Sequence, residues 1–164
     1  MRKVFIFAIF MLSLLFSDFT INAEEVIDNN SFSEIKEEII YFENGNYLVK
    51  KIKEQNNEIV TRSTSYYKTG ELEVTEYNIN DKLLWTYTLT GTFLIETGVS
   101  CVSTNATYTT EIYKNTWSFS DGSTAYAGNH VTGYGVFKCK VLFITTQTVN
   151  IDVTLYCDSY GNLS

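Results

Sequence analysis

The stretch "LLWTYTLTGTFLIE", residues 83–96, decides the fold. Leu83, Trp85, Tyr87, Leu89, Phe93 and Ile95 share one parity, and Leu84, Thr86, Thr88, Thr90, Thr92 and Leu94 share the other. Side chains alternate across an extended chain, so the pattern builds one greasy face and one threonine face. Gly91 falls on the greasy parity, where a missing side chain marks a bulge or a close crossing of another chain segment.

Working outward, the same extended signal recurs. "YLVKKIK" (47–53), "EIVTRSTSYY" (58–67) and "LEVTEYN" (72–78) are strand candidates, separated by "EQNN" and "KTGE", which read as hairpin turns. "NIND" (78–81) breaks the chain before the long strand. After it come "VSCVSTNATYTTEIY", "NTWSFS", a turn at Asp121-Gly122, "STAYA", a turn at "GNH", then "VTGYGVFKCKVLFI" and "VNIDVTLYC". Crossover helices for a parallel sheet have no room here. The expectation is an all-β chain, an antiparallel β-sandwich of about 8–9 strands.

The N-terminus reads differently. Arg2 and Lys3 precede the apolar run Val4–Phe16, and "INA" precedes "EE". That is the pattern of a secretory signal, residues 1–23, cleaved after Ala23. The apolar core is about 13 residues, short of the roughly 20 that span a bilayer, so no stable membrane anchor is expected. Residues 24–46 form an acidic segment: a short helix or a disordered leader ahead of a single sandwich domain, 47–164. Ser31 stands three residues before Glu34, as in a capping box, and Phe32, Ile35, Ile39 and Phe42 fall at helical spacing. That spacing predicts a short amphipathic helix.

Without Arg2, Lys3 and Asp18 the mature chain carries 10 basic and 18 acidic residues. A net charge of −8 excludes nucleic acid or anionic lipid as partners held by bulk charge. An exported protein of this kind meets cell-envelope glycan, a surface protein or another copy of itself.

Three cysteines leave one over: Cys101, Cys139 and Cys157. If the last hairpin folds about Thr148, Cys139 faces Cys157, and Phe137, Val141, Phe143, Ile151, Val153 and Leu155 join Cys139 on one buried face. A Cys101–Cys157 bridge instead closes a much longer loop, and periodicity does not choose between them. The leftover thiol is a buried apolar side chain or an intermolecular bridge.

Catalytic patterns are sparse. The single histidine, His130, sits in a "GNH" turn and makes a triad or a histidine-based zinc site improbable by count alone. No metal or cofactor site and no catalytic set is expected. Glu71 and Glu73 share a strand face about 6–7 Å apart. A hydrolase built on acids, with Glu73 or Glu76 as the working residue, is the enzymatic alternative. The better lead is aromatic, in a chain with 12 Tyr, 11 Phe and 2 Trp. Trp117, Phe119, Tyr66, Tyr67, Tyr126 and Tyr134 are the candidates for stacking on sugar rings or anchoring a protein partner.

"LLWTYTLTGTF", Cys101, "NTWSF", "AGNHVTGYG" and the ending "TQTVNIDVTLYCDSYGNLS" together resemble a group of small exported Gram-positive bacterial proteins of unknown function. The resemblance covers residues 72–164. It implies a disulfide between Cys101 and Cys157, with Cys139 the odd one, and it carries no catalytic residue to this chain.

Overall fold

The computed structural model describes residues 31–55 and 65–164. The signal segment and the part of the strand candidate at 58–64 lie outside the described residues. Eight antiparallel strands form two sheets. The first sheet runs β1 (Phe32–Tyr41), β2 (Tyr47–Gln55), β3 (Ser65–Tyr77), β4 (Leu83–Glu96) and β5 (Ser100–Ile112), in that order. The second runs β6 (Trp117–Ala127), β7 (His130–Val141) and β8 (Ile144–Tyr156).

The greasy parity of β4 faces the second sheet. Trp85, Tyr87, Leu89, Phe93 and Ile95 are fully buried, and the core they build takes in Val131, Phe137, Ile151, Val153 and Leu155 from across the sandwich. Trp85 stacks on Phe137 with ring centroids 3.9 Å apart. The approach is close because β7 is stripped of side chains where Tyr87 lies. A Cβ on Gly133 would meet the Tyr87 hydroxyl at 2.5 Å, and one on Gly135 would meet the same ring at 3.0 Å. Gly91 of β4 is the reciprocal case, since its Cβ would fall 2.7 Å from Val131 Cγ2. The close-crossing reading of Gly91 therefore holds.

Two further joints close the sandwich. Ser103 of β5 donates its amide to the Gly128 carbonyl at 2.6 Å, and Thr124 Oγ1 donates to Ala106 O at 3.2 Å. At the other side the C-terminal turn docks back, with Gly98 N donating to Ser159 O at 2.8 Å. Leu163 is seated over Gly70, whose absent Cβ makes the room.

Several local expectations give way. The helix expected over Ser31–Phe42 is instead β1, and no helix occurs among the described residues. Its helical spacing of apolar residues is outweighed by the open edge of β2, which supplies backbone partners from Gln55 to Tyr47. A bulge between Glu34 and Lys36 breaks the strand parity and produces the misleading period. Lys51 then pairs with Glu34 at 2.8 Å and Glu37 at 3.2 Å. The sheet thus begins inside the segment assigned as a leader. "KTGE" is not a turn either: Gly70 lies within β3 beneath Leu163. Asp121-Gly122 lies within β6 beside a bulge, not at a turn.

The last hairpin turns at Leu142-Phe143, not at Thr148. The physical reason is the pair of glycines in β7. In the observed register Gly133 faces Val153 and Gly135 faces Ile151, so the large side chains of β8 flank the space that Tyr87 fills. The expected register sets large residues against each other and takes Ile151 and Val153 away from the glycines. The shift puts Cys139 opposite Gln147 and leaves Phe143 fully exposed instead of buried.

Gly91→Ala should cost about 1–3 kcal/mol, because the methyl has no space against Val131. Phe137→Ala should cost about 3–5 kcal/mol by loss of the stacked contact with Trp85. Urea unfolding of the two variants measures both, and near-zero change at Gly91 would show that the sheets can slide apart there.

Candidate functional site

The threonine parity of β4 faces outward, away from the second sheet. Register carries it sideways: Thr88 faces Glu73 of β3 and Thr109 of β5, and Thr86 faces Thr75 and Glu111. These residues floor a groove of about 210 Å3 in the outer face of the five-stranded sheet. Tyr77, Leu83 and Tyr113 border it at the end where the β3–β4 turn and the β5–β6 loop meet. The strand register builds the groove from residues far apart in the chain, which explains why no local motif announces it.

Its floor is rigid and its rim is aromatic. The Thr75 and Thr86 hydroxyls hydrogen-bond at 3.1 Å, and both residues are buried. Lys53 holds the Glu73 carboxylate at 2.6 Å. Tyr113 donates its hydroxyl to Glu111 while the residue itself is half exposed. That hydrogen bond to a carboxylate, with some desolvation, raises the Tyr113 phenol above its ordinary range, so it stays a neutral donor. Tyr77 stacks on Tyr47 at 5.1 Å and 12°, and Tyr41 tilts against Tyr47 at 5.6 Å. The Tyr47 hydroxyl donates to Asp81 at 2.9 Å, which pushes its pKa to about 12. One row up, Thr90 donates to Glu71 at 3.4 Å, and burial raises the Glu71 carboxyl.

The aromatic residues nominated from the sequence lie elsewhere. Trp117 is buried against Trp85 at 6.2 Å, and Phe119 packs between Tyr108 and Phe137. Tyr66 is half-buried and donates to Tyr160 O at 3.4 Å. Tyr67, Tyr126 and Tyr134 are exposed, but none of the six borders the groove. Tyr67 shares the outer face of β3 with Tyr77, ten residues and about 33 Å away along the strand. Sequence reasoning missed Tyr77 and Tyr113. Alternation on β3 could have found Tyr77, which has the parity of Glu71 and Glu73.

Glu73 and Glu76 do not work together. They sit on opposite faces of β3, Glu73 in the groove and Glu76 fully buried in the core. Asn46 Nδ2 donates to Glu76 Oε1 at 2.9 Å. Glu76 Oε2 and Trp85 Nε1 have no well-formed partner, although the two residues face each other in register. The indole lies near enough to favour the carboxylate, yet burial dominates and raises the Glu76 pKa. Two carboxylates do meet the groove, Glu73 and Glu111, and both are tied up by neighbours.

The cysteines are now placed. Cys101 opens β5 opposite Ile95, and Cys157 follows β8, fully buried. Burial pushes both thiol pKa values up, and the Cys157 thiol donates to Asp158 O at 3.5 Å. All three cysteines are thiols in the structure. Cys139 stands opposite Trp117, near the far end of β7 from His130. His130 pairs with Tyr156, next to Cys157, so Cys139 and Cys157 are separated by about 30 Å of strand. A Cys139–Cys157 bridge is therefore ruled out. His130 starts β7 and packs on the Tyr156 ring at 5.3 Å, far from Cys139.

Glu76 makes stability pH-dependent. Its folded carboxyl holds a proton to higher pH than the ordinary 4.5, so the folded chain binds more protons across that window. Stability should fall as pH rises from about 4.5 through the raised value. Glu76→Gln should remove that slope and raise the melting temperature at neutral pH. Thermal melts of both proteins across this pH range check it, and parallel profiles would mean the carboxyl does not feel its burial.

Compared with known proteins, the chain matches no family description, no curated protein and no solved structure.

Proposed function

We propose that the protein is exported and works outside the cell as a non-catalytic module that binds envelope glycan through the groove on the five-stranded sheet. The carrying observation is the groove's lining: threonine hydroxyls and two carboxylates on the floor, with Tyr77 and Tyr113 on the rim. Sugars present hydroxyls that pair with carboxylates and hydroxyls, and C–H faces that lie on aromatic rings. The groove is smaller than the roughly 300 Å3 at which drug-sized pockets begin, so it suits one sugar unit of a longer chain. Fixed partners at Lys53 and across Thr75–Thr86 keep the floor ordered before a ligand arrives, which limits the ordering cost of binding. Export rests on the charged start, apolar core and small-residue site of residues 1–23. A surface protein or a second copy would use the same face less well, because a narrow polar groove offers no broad apolar centre.

Hydrolysis with Glu73 or Glu76 is the weaker reading. Glu76 cannot reach the groove, and Glu73 is held by Lys53.

In the exported protein we assign the disulfide to Cys101 and Cys157, with Cys139 a free thiol. The pairing is the one implied by the resemblance to small exported Gram-positive proteins, and it is supported by the hydrogen bond from Gly98 N to Ser159 O, which joins the segments on which the two residues lie. Such a bridge closes a long loop and is worth about 4 kcal/mol.

Retention on purified cell wall, followed by titration with soluble wall oligosaccharides, tests the binding. Tyr113→Ala and Glu111→Gln should each weaken binding about tenfold, or about 1.4 kcal/mol. No retention on any envelope fraction, or unchanged affinity in both variants, would remove the groove from consideration. A non-reducing peptide map of the protein from culture medium should show Cys101 joined to Cys157. Replacing either with Ser should then lower stability by about 2–5 kcal/mol.

A further inference from the structure

The β7–β8 hairpin ends in the most exposed apolar group of the described residues. Val141, Leu142, Phe143 and Ile144 are 49%, 85%, 100% and 69% exposed. The fold itself has no use for them there. Leu142 and Phe143 hold the two central turn positions with φ of 49° and 68°. Hairpin turns with both central residues at positive φ favour Asn-Gly, and bulky residues are strained in that region. The chain thus keeps two large apolar side chains where small polar ones would hold the turn better, and points them into solvent.

What surrounds the tip narrows the partner. From Phe137 to Asn150 the hairpin carries Lys138 and Lys140 and no acid, in a chain of net charge −7. The neighbouring β5–β6 loop adds Lys114, and Lys140 N donates to Thr116 O of that loop at 2.8 Å, which fastens the hairpin to it. Among the described residues the ion pairs all lie on β1–β3 and leave these three lysines without a carboxylate. Asp81 and Glu111, at the same end of the other sheet, accept from Tyr47 and Tyr113.

We propose that this tip inserts shallowly into a lipid surface with anionic headgroups, with Leu142 and Phe143 below the headgroups and Lys114, Lys138 and Lys140 against the phosphates. The geometry fits an interface. A narrow projection of four apolar residues enters a fluid layer that closes around it, while the cationic collar behind it stays at headgroup depth. Val141 and Ile144 are paired across the turn, so few backbone groups are left without partners at that depth. One short apolar tip gives reversible contact and not an anchor. The collar also orients the approach, because the rest of the acidic surface is repelled by the same headgroups. The groove opens at the end of the sandwich from which the tip projects, so a seated molecule would hold the groove near the envelope.

The test is flotation of the mature protein with vesicles of phosphatidylcholine alone and mixed with phosphatidylglycerol. Binding is expected to be stronger on the mixed vesicles and to weaken with salt. The double substitution Leu142→Asn with Phe143→Gly suits the turn better than the native pair, so it should keep or raise the melting temperature. It should lower vesicle binding by about tenfold or more while leaving glycan binding by the groove unchanged. Phe143→Trp should add a fluorescence component that shifts blue on mixed vesicles and is quenched by brominated acyl chains. The proposal is overturned by absence of binding to either vesicle, by equal binding of the double variant, or by an unshifted Phe143→Trp signal. A dimer of the native protein that the double variant abolishes, with no lipid binding, would give the tip to a second copy instead.

Discussion

The crossing of β4 and β7 is the constraint on which the rest depends. Trp85 lies flat on Phe137, and Tyr87 fills the space vacated by Gly133 and Gly135. Large side chains from one sheet meet missing side chains on the other, so the two layers approach closely there. That fit selects one register for β8, because only one alignment sets Ile151 and Val153 beside the glycines. The hairpin tip, the distance of Cys139 from Cys157 and the place of the C-terminal turn all follow from that register. A side-chain fit between layers thus sets features at both ends of the molecule.

The strand that builds the core also builds the groove. From Trp85 onward the odd residues of β4 face inward and the even residues outward, while Leu83 and Leu84 exchange their expected faces at the irregularity beside Glu76 and Tyr77. Thr86 and Thr88 are held in place by the burial of Trp85, Tyr87 and Leu89 behind them. A polar floor on the back of a fully buried strand has little freedom to shift. This separation of roles also explains the acids of β3. Glu71 and Glu73 take the outer parity and meet Lys53 and Thr90, while Glu76 takes the inner parity and is buried with Asn46 as its formed partner. Three acids within six positions of the chain have three different environments.

The edges of the sheet are handled by different means. β5 is covered by contacts with β6 and the Gly128 carbonyl, and the C-terminal turn covers the side near β8. β1 remains an outer strand, largely exposed, and carries Glu34, Lys36, Glu37 and Glu38 at its middle. Charge on an outer strand discourages pairing with other chains. Single apolar residues, Ile79 and Val99, are exposed at the β3–β4 and β4–β5 turns, but the β7–β8 turn exposes two large ones side by side.

Much of the fold was legible in residues 47–164, because burial on one face imposes a period of two that local sequence displays directly. The all-β class, the extent of β4, the break at "NIND" and the turn before His130 came from that period and from turn chemistry. Where local signals and packing disagreed, packing prevailed. The helical spacing of Phe32, Ile35, Ile39 and Phe42 yielded to the open edge of β2, because backbone pairing with a formed sheet outweighs a short amphipathic period. Gly70 and Gly122 look like turn residues, but they are points of close approach inside strands, which no local pattern distinguishes. The candidate site was least legible. Its threonines were visible as a face, but Tyr77, Glu111 and Tyr113 join them only through strand pairing across the sheet. The sequence by itself determined which residues alternate inward and outward. Only the tertiary structure decided which outward residues stand together and which apolar residues were left outside the core, because register depends on the fit between two layers that no single strand contains.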